Sequence, residues 1–119
     1  MSEYENIAQR YIDTWNEQDA GKRKALIDEL YTAQVSFTDP LVQLTGPEAV
    51  DQMVAGAQEQ FAGLRFGLGP VDGHHDVARF TWTLGAPGAD EPLVIGFDVI
   101  TLQDNRISRV QGFLDKVPG

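Results

Sequence analysis

Pro92-Leu93-Val94-Ile95-Gly96-Phe97-Asp98-Val99-Ile100-Thr101-Leu102 decides how this chain folds. Its residues are apolar on both alternating sets, as in a strand covered on two sides. One face carries Val94, Gly96, Asp98 and Ile100; the other carries Ile95, Phe97, Val99 and Thr101. A carboxylate in such a place must be paired, hydrogen-bonded or held neutral, because a bare charge in an apolar site costs several kcal/mol. Asp98 is therefore the first candidate functional residue. The second apolar face also needs cover. Helices on one side of a sheet cannot supply it, but a second copy of the chain can, so a homodimer is expected.

Outward from this strand, Leu64–Val71, Val77–Leu84 and Ile107–Val117 also read as strands, joined by turn signals at Asp72-Gly73, Ala86-Pro87-Gly88 and Asp104-Asn105. The region before them has helical period. Tyr4, Ile7, Ala8, Tyr11, Ile12 and Trp15 share a broad face of a first helix starting at Ser2 or Glu3. After a break at Asn16–Gly21, a second helix turns Ala25, Leu26, Leu30 and Ile27 inward and ends near Tyr31 or Thr32. Val35–Thr38 is a short strand that Pro40 either stops or forces into an extended exit. Thr45-Gly46-Pro47-Glu48 has the capping-box spacing, with proline suited to the first turn, and starts a third helix with a stripe of Val50, Met53, Val54, Ala57 and Phe61. Helices first and a mostly antiparallel sheet after them predict an α+β fold, one domain over residues 1–119, with the helices on one face of a curved sheet.

Composition narrows the function. The chain has 119 residues, no cysteine and a formal net charge of -9. Disulfides, zinc-thiolate sites and cysteine nucleophiles are excluded. The nine basic residues are scattered apart from Lys22-Arg23-Lys24, which reads as a solvated helix start. Nucleic acid is not an expected partner, because neutralising its backbone takes a basic surface. No apolar stretch has the length of a membrane span, and the acidic N-terminus is unlike a signal peptide, so a cytoplasmic protein is expected. With two adjacent histidines and no acids clustered beside them, a metal site is not expected, and no cofactor is called for.

Several further residues invite chemistry. Asp39 ends the short strand Val35-Ser36-Phe37-Thr38-Asp39-Pro40; it is either a carboxylate at a pocket wall or a turn former before proline. Gly96 and Gly112 lie in mid-strand, and either mark bends or leave room for something to approach beside Asp98. Phe80 and Trp82 share a face with Ala78 and Leu84, as cavity wall or plain core. Trp15 supplies shape rather than chemistry. Of His74 and His75 only one can face a pocket, as an acid or base or as a rim residue.

The order of elements and three short motifs resemble the SnoaL-like and ketosteroid-isomerase-like branch of the nuclear transport factor 2 superfamily over nearly the whole chain. Arg10-Tyr11-Ile12 is similar to the segment bearing the isomerase's oxyanion-hole tyrosine, and Phe37-Thr38-Asp39-Pro40 to the segment bearing its aspartate base. Asp98-Val99 is similar to the segment holding its protonated aspartic acid. The resemblance implies a cone-shaped fold, a curved sheet wrapped around a helix and one deep apolar pocket, usually as a homodimer. The chain departs from the isomerase in extra residues around Gly21–Lys24, in Val54 where a supporting tyrosine is expected, and in Leu114 where a pocket tryptophan is expected.

The resemblance implies a cofactor-independent isomerase or cyclase acting on a small apolar carbonyl compound. Asp39 would be the base, and Asp98 and Tyr11 would stabilise the enolate. Ketosteroid isomerase is a standard illustration of a neutral carboxylic acid used in this way. Trp15, Val54, His74, Phe80, Trp82, Gly96, Gly112 and Leu114 would shape the substrate site. The rival is a non-catalytic module of the same fold that binds a ligand or partner. A third reading is an epoxide hydrolase using an Asp-Arg-Asp set, for which Arg79 is the candidate arginine, although Thr81 stands where the first acid is expected.

Overall fold

The computed structural model describes residues 2–118. The elements run α1 (Glu3–Asn16), α2 (Ala20–Leu30), β1 (Tyr31–Thr38), β2 (Gln43–Thr45), α3 (Pro47–Gln60), β3 (Arg65–His74), β4 (Val77–Gly85), β5 (Val94–Gln103) and β6 (Arg106–Lys116). The strands form one sheet of order β2-β1-β6-β5-β4-β3. All pairs are antiparallel except β1 with β6. This is the predicted α+β arrangement. Register shifts between Leu68 and Val71 on β3 and at two places between β5 and β6 bend the strands locally.

The alternation read from β5 holds. Val94, Gly96, Asp98 and Ile100 are buried, whereas Ile95, Phe97, Val99 and Thr101 are half-buried on the opposite face. Against the inner face pack Ile7, Ala8, Tyr11 and Ile12 of α1, Ile27 and Leu30 of α2, and Val50 and Val54 of α3. These side chains leave water completely or nearly so, worth roughly 1.5–3 kcal/mol for each large aliphatic one.

Local details differ from the reading of the sequence. The capping box lies at the start of α1, where Ser2 and Glu5 satisfy each other's backbone donors. At α3 the N-cap is Gly46, at φ 93°, with no side-chain cap. Its positive φ suits glycine, and Pro47 presets the first turn without needing a donor. In α2 the inward residues are Arg23, Ile27 and Leu30; Ala25 is exposed. Arg23 is buried because its guanidinium bonds Asp51 at 2.7 Å and Gln58 at 3.1 Å, tying α2 to α3. Strand β1 begins at Tyr31, earlier than Val35, directly after α2. Arg106 holds that junction by donating to the carbonyls of Asp28, Glu29 and Tyr31. The short strand β2 pairs back on β1 beyond Pro40.

Candidate active site

Three elements converge on one cavity. Tyr11 lies on the inner face of α1, one turn before Trp15. Asp98 lies mid-way along β5 on the inward set. Asp39 immediately follows β1. The cavity has a volume of about 1060 Å³. Tyr11, Trp15, Phe37, Phe66 and Trp82 supply its aromatic wall, and Ile12, Val42, Leu44, Met53, Leu84, Val94 and Leu114 its aliphatic one. Among the described residues, the only charged ones lining it are Asp39 and Asp98.

Asp98 is 3% exposed and Tyr11 is 2% exposed. The Tyr11 hydroxyl donates to Asp98 Oδ2 at 2.7 Å. Burial pushes the Asp98 carboxyl up to about 6; the Tyr11 hydroxyl and the Trp82 indole pull it back toward the charged form, and the charge of Asp39 adds a smaller upward push. The Tyr11 phenol is driven well above its ordinary range, first by burial and then by the neighbouring Asp98 charge. Among the described residues, the indole nitrogens of Trp15 and Trp82 are buried without a hydrogen-bond partner. They act on Tyr11 and Asp98 as nearby dipoles rather than through formed bonds. The Tyr31 hydroxyl is likewise buried and unpartnered; burial, then the Asp98 charge, raises its pKa.

Asp39 satisfies both readings of it. Its Oδ1 accepts from the backbone N–H of Leu41 at 2.8 Å and of Val42 at 2.9 Å, forming an Asx turn past Pro40. The same side chain lines the cavity, and no hydrogen bond from the described residues engages Oδ2. Gly112 pairs with Asp98 across β5 and β6. A methyl group at Gly112 would stand 2.7 Å from Asp98 Oδ1 and 3.3 Å from Asp39 Cβ. The two acids thus flank one bare spot on β6.

The other expected site residues divide. Trp15, Trp82 and Leu114 line the cavity. Gly96 is not open to it: the Trp82 indole lies across Gly96, so the glycine makes room for tryptophan and not for a ligand. Phe80 and Val54 are fully packed in the core outside the cavity lining; Phe80 meets the Tyr11 ring edge-on at 5.2 Å and so props the tyrosine from behind. His74 is exposed at the end of β3, its ring against His75, away from the cavity. Arg79 is exposed and lies 3.8 Å from Asp72, so an Asp-Arg-Asp set is not assembled around Asp98. Missed in the sequence were Tyr31, read as a helix end, and Met53 and Phe66, which complete the wall. Among the described residues no group of three His, Asp or Glu is placed to hold a metal ion, and no helix is long and apolar enough to cross a membrane.

The chain and its fold have counterparts among known proteins. The family model for the SnoaL-like domain matches residues 8–110. A candidate isomerase of the SnoaL-like family from Agrobacterium tumefaciens is similar in structure, with TM-score 0.90 and 37% identity over 97% of this chain and 99% of that one. A candidate ketosteroid isomerase from Kribbella flavida superposes with TM-score 0.73 at 18% identity, covering 98% and 81% of the two chains. A candidate SnoaL-like polyketide cyclase from Jannaschia gives TM-score 0.76 at 19% identity, covering 95% and 85%. These last two speak to fold alone. No curated protein matches the chain by sequence. The family match over most of the chain, and the close relative of the same length and shape, show that this protein belongs to the SnoaL-like family, with the nuclear-transport-factor-2-like fold its neighbours share.

Proposed function

We propose that this protein is a cofactor-independent enzyme that moves a proton on a carbon next to a carbonyl in an apolar molecule. One observation carries the reading: Asp39 and the Tyr11–Asp98 pair meet in the same apolar cavity, flanking Gly112. Asp39 Oδ2, held in place by the Asx turn through Oδ1, takes the proton from the α-carbon. The C–H electron pair moves into the carbonyl, leaving an enolate oxygen. On binding, the Tyr11 hydroxyl turns its proton from Asp98 Oδ2 to that oxygen, and Asp98, protonated below about pH 6, donates beside it, away from water, where such donors act most strongly. In a β,γ-unsaturated substrate Asp39 then returns the proton to the γ-carbon, which brings the double bond into conjugation with the carbonyl. In a substrate with a second carbonyl the enolate carbon attacks that carbonyl, and the resulting alkoxide takes the proton back from Asp39. The open cavity favours this reading over a module with a packed interior. As in the resemblance, the protein acts as a homodimer, paired through the outer face of β5 where Ile95, Phe97 and Val99 lie half-buried.

The test is proton exchange in heavy water. The wild-type protein should exchange the α-hydrogens of an apolar ketone for deuterium. Asp39→Asn should lose that exchange while still binding a phenol that mimics the enolate. Full exchange in the variant would remove Asp39 from the mechanism.

A further inference from the structure

The described chain exposes four large hydrophobic side chains: Leu41 at 79%, Leu93 at 40%, Phe113 at 56% and Val117 at 57%. All four line the cavity that holds Asp39 and Asp98. They come from three separate stretches: the turn after β1, the loop before β5, and the last part of β6 with the residue that follows it. Scattered exposed apolar residues need no explanation, but here every one gathers at one opening. Two of the backbones are fixed. The Leu41 N–H donates to Asp39 Oδ1 at 2.8 Å, and the Leu93 N–H to the Leu84 carbonyl at 2.8 Å. The turn that sets Asp39 therefore also sets Leu41 at the rim.

The cavity is also large. Its volume of about 1060 Å³ stands at the top of the range common for ligand pockets, roughly 300–1,000 Å³. A small ketone seated at Asp98 would leave most of the apolar wall, and all of this collar, wet. We propose that the ligand is an amphipathic molecule with its carbonyl head at Tyr11 and Asp98 and a long apolar tail that leaves through a collar of Leu41, Leu93 and Val117. The proposal rests on the carbonyl reading of the deep end and adds the ligand's length. Phe113 pairs with Phe97 on the outer sheet face and so belongs to the dimer face proposed above, whereas Leu41, Leu93 and Val117 are continuous with the cavity wall, which assigns them to the ligand. The net charge of -9 disfavours an anionic lipid surface as its cover.

The test uses the methyl ketones 2-hexanone, 2-nonanone and 2-dodecanone. Binding is read by the fluorescence of Trp15 and Trp82, the only two tryptophans, both in the cavity lining. Affinity should rise about fourfold per added methylene through the series, the value for burying one CH₂. Leu41→Ser with Val117→Ser, both at exposed positions, should leave 2-hexanone unchanged and weaken 2-dodecanone at least tenfold. Equal chain-length dependence in wild type and variant overturns the collar. So does a variant that loses self-association, or flotation with zwitterionic vesicles, while keeping its 2-dodecanone affinity. Tyr11→Phe separates the two readings. It should weaken all three ketones by one common factor; if it weakens none, the head placement fails, and the chain-length comparison still judges the collar.

Discussion

The Tyr11 hydroxyl of α1 donates to Asp98 Oδ2 of β5 at 2.7 Å, with both groups buried. This bond joins the first helix to the fifth strand across the core. It also ties the protonation of one residue to the other. Tyr11→Phe removes a donor that favours the charged form of Asp98, so the Asp98 carboxyl should titrate higher than in the wild type. Loss of one donor to the enolate oxygen should slow proton exchange by roughly 10²–10³-fold. The exchange assay and a carboxyl titration measure the two effects on the same variant.

Asp98 makes stability depend on pH in a defined direction. In the folded protein its carboxyl titrates at about 6, above the ordinary aspartate value of 3.8. Between these values the folded state holds the proton more tightly than the unfolded chain, so its contribution is full at low pH and is lost as pH rises through about 6. The loss amounts to roughly 3 kcal/mol, since each tenfold difference in proton affinity is worth about 1.4 kcal/mol. Asp98→Asn keeps an acceptor for Tyr11 and cannot ionise. Urea unfolding should show the variant gaining on the wild type as pH is raised from about 4 to about 8, the range that brackets this loss. A constant difference across that range would mean that Asp98 is not desolvated as described.

Gly112→Ala tests the bare spot between the acids. The added methyl would stand 2.7 Å from Asp98 Oδ1, which Tyr11 holds from its other oxygen. The carboxyl must turn away or the strand must shift, at about 1–3 kcal/mol of stability. Exchange activity should fall further than stability alone explains. Thermal unfolding and exchange on the same sample check both.

Gly96→Ala separates a structural glycine from a ligand-facing one. Its methyl would run into the Trp82 indole. The expected outcome is a shift in tryptophan fluorescence and a loss of about 1–3 kcal/mol. Unchanged fluorescence would contradict the placement of Trp82.

Much of this was legible in the chain, and the reasons differ by element. The two-sided β5 pattern revealed the sheet, its faces and the odd position of Asp98, because strand period is local. The glycine and proline at 46–47 marked the start of α3. The role of Gly96 was not legible, because mid-strand glycines look alike until the partner strand shows which side chain lies on them. Arg23 was misread because a buried arginine depends on Asp51 and Gln58, which are distant along the chain. Tyr31 was hidden by α2 running straight into β1. His74 looked like chemistry by residue type alone, and the hairpin carries it to the surface.

Asp39 and Asp98 line one cavity, where the Asp39 charge adds a small upward push to the Asp98 carboxyl, and the proposed proton transfer requires the two acids to stand that close. Carbon-detected titration of the Asp98 carboxyl, in the wild type and in Asp39→Asn, tests it without knowledge of the substrate. Asp98 should titrate near 6 in the wild type and lower once the neighbouring charge is removed. An Asp98 that titrates like an exposed carboxylate, or one indifferent to the Asp39 substitution, would contradict the coupling.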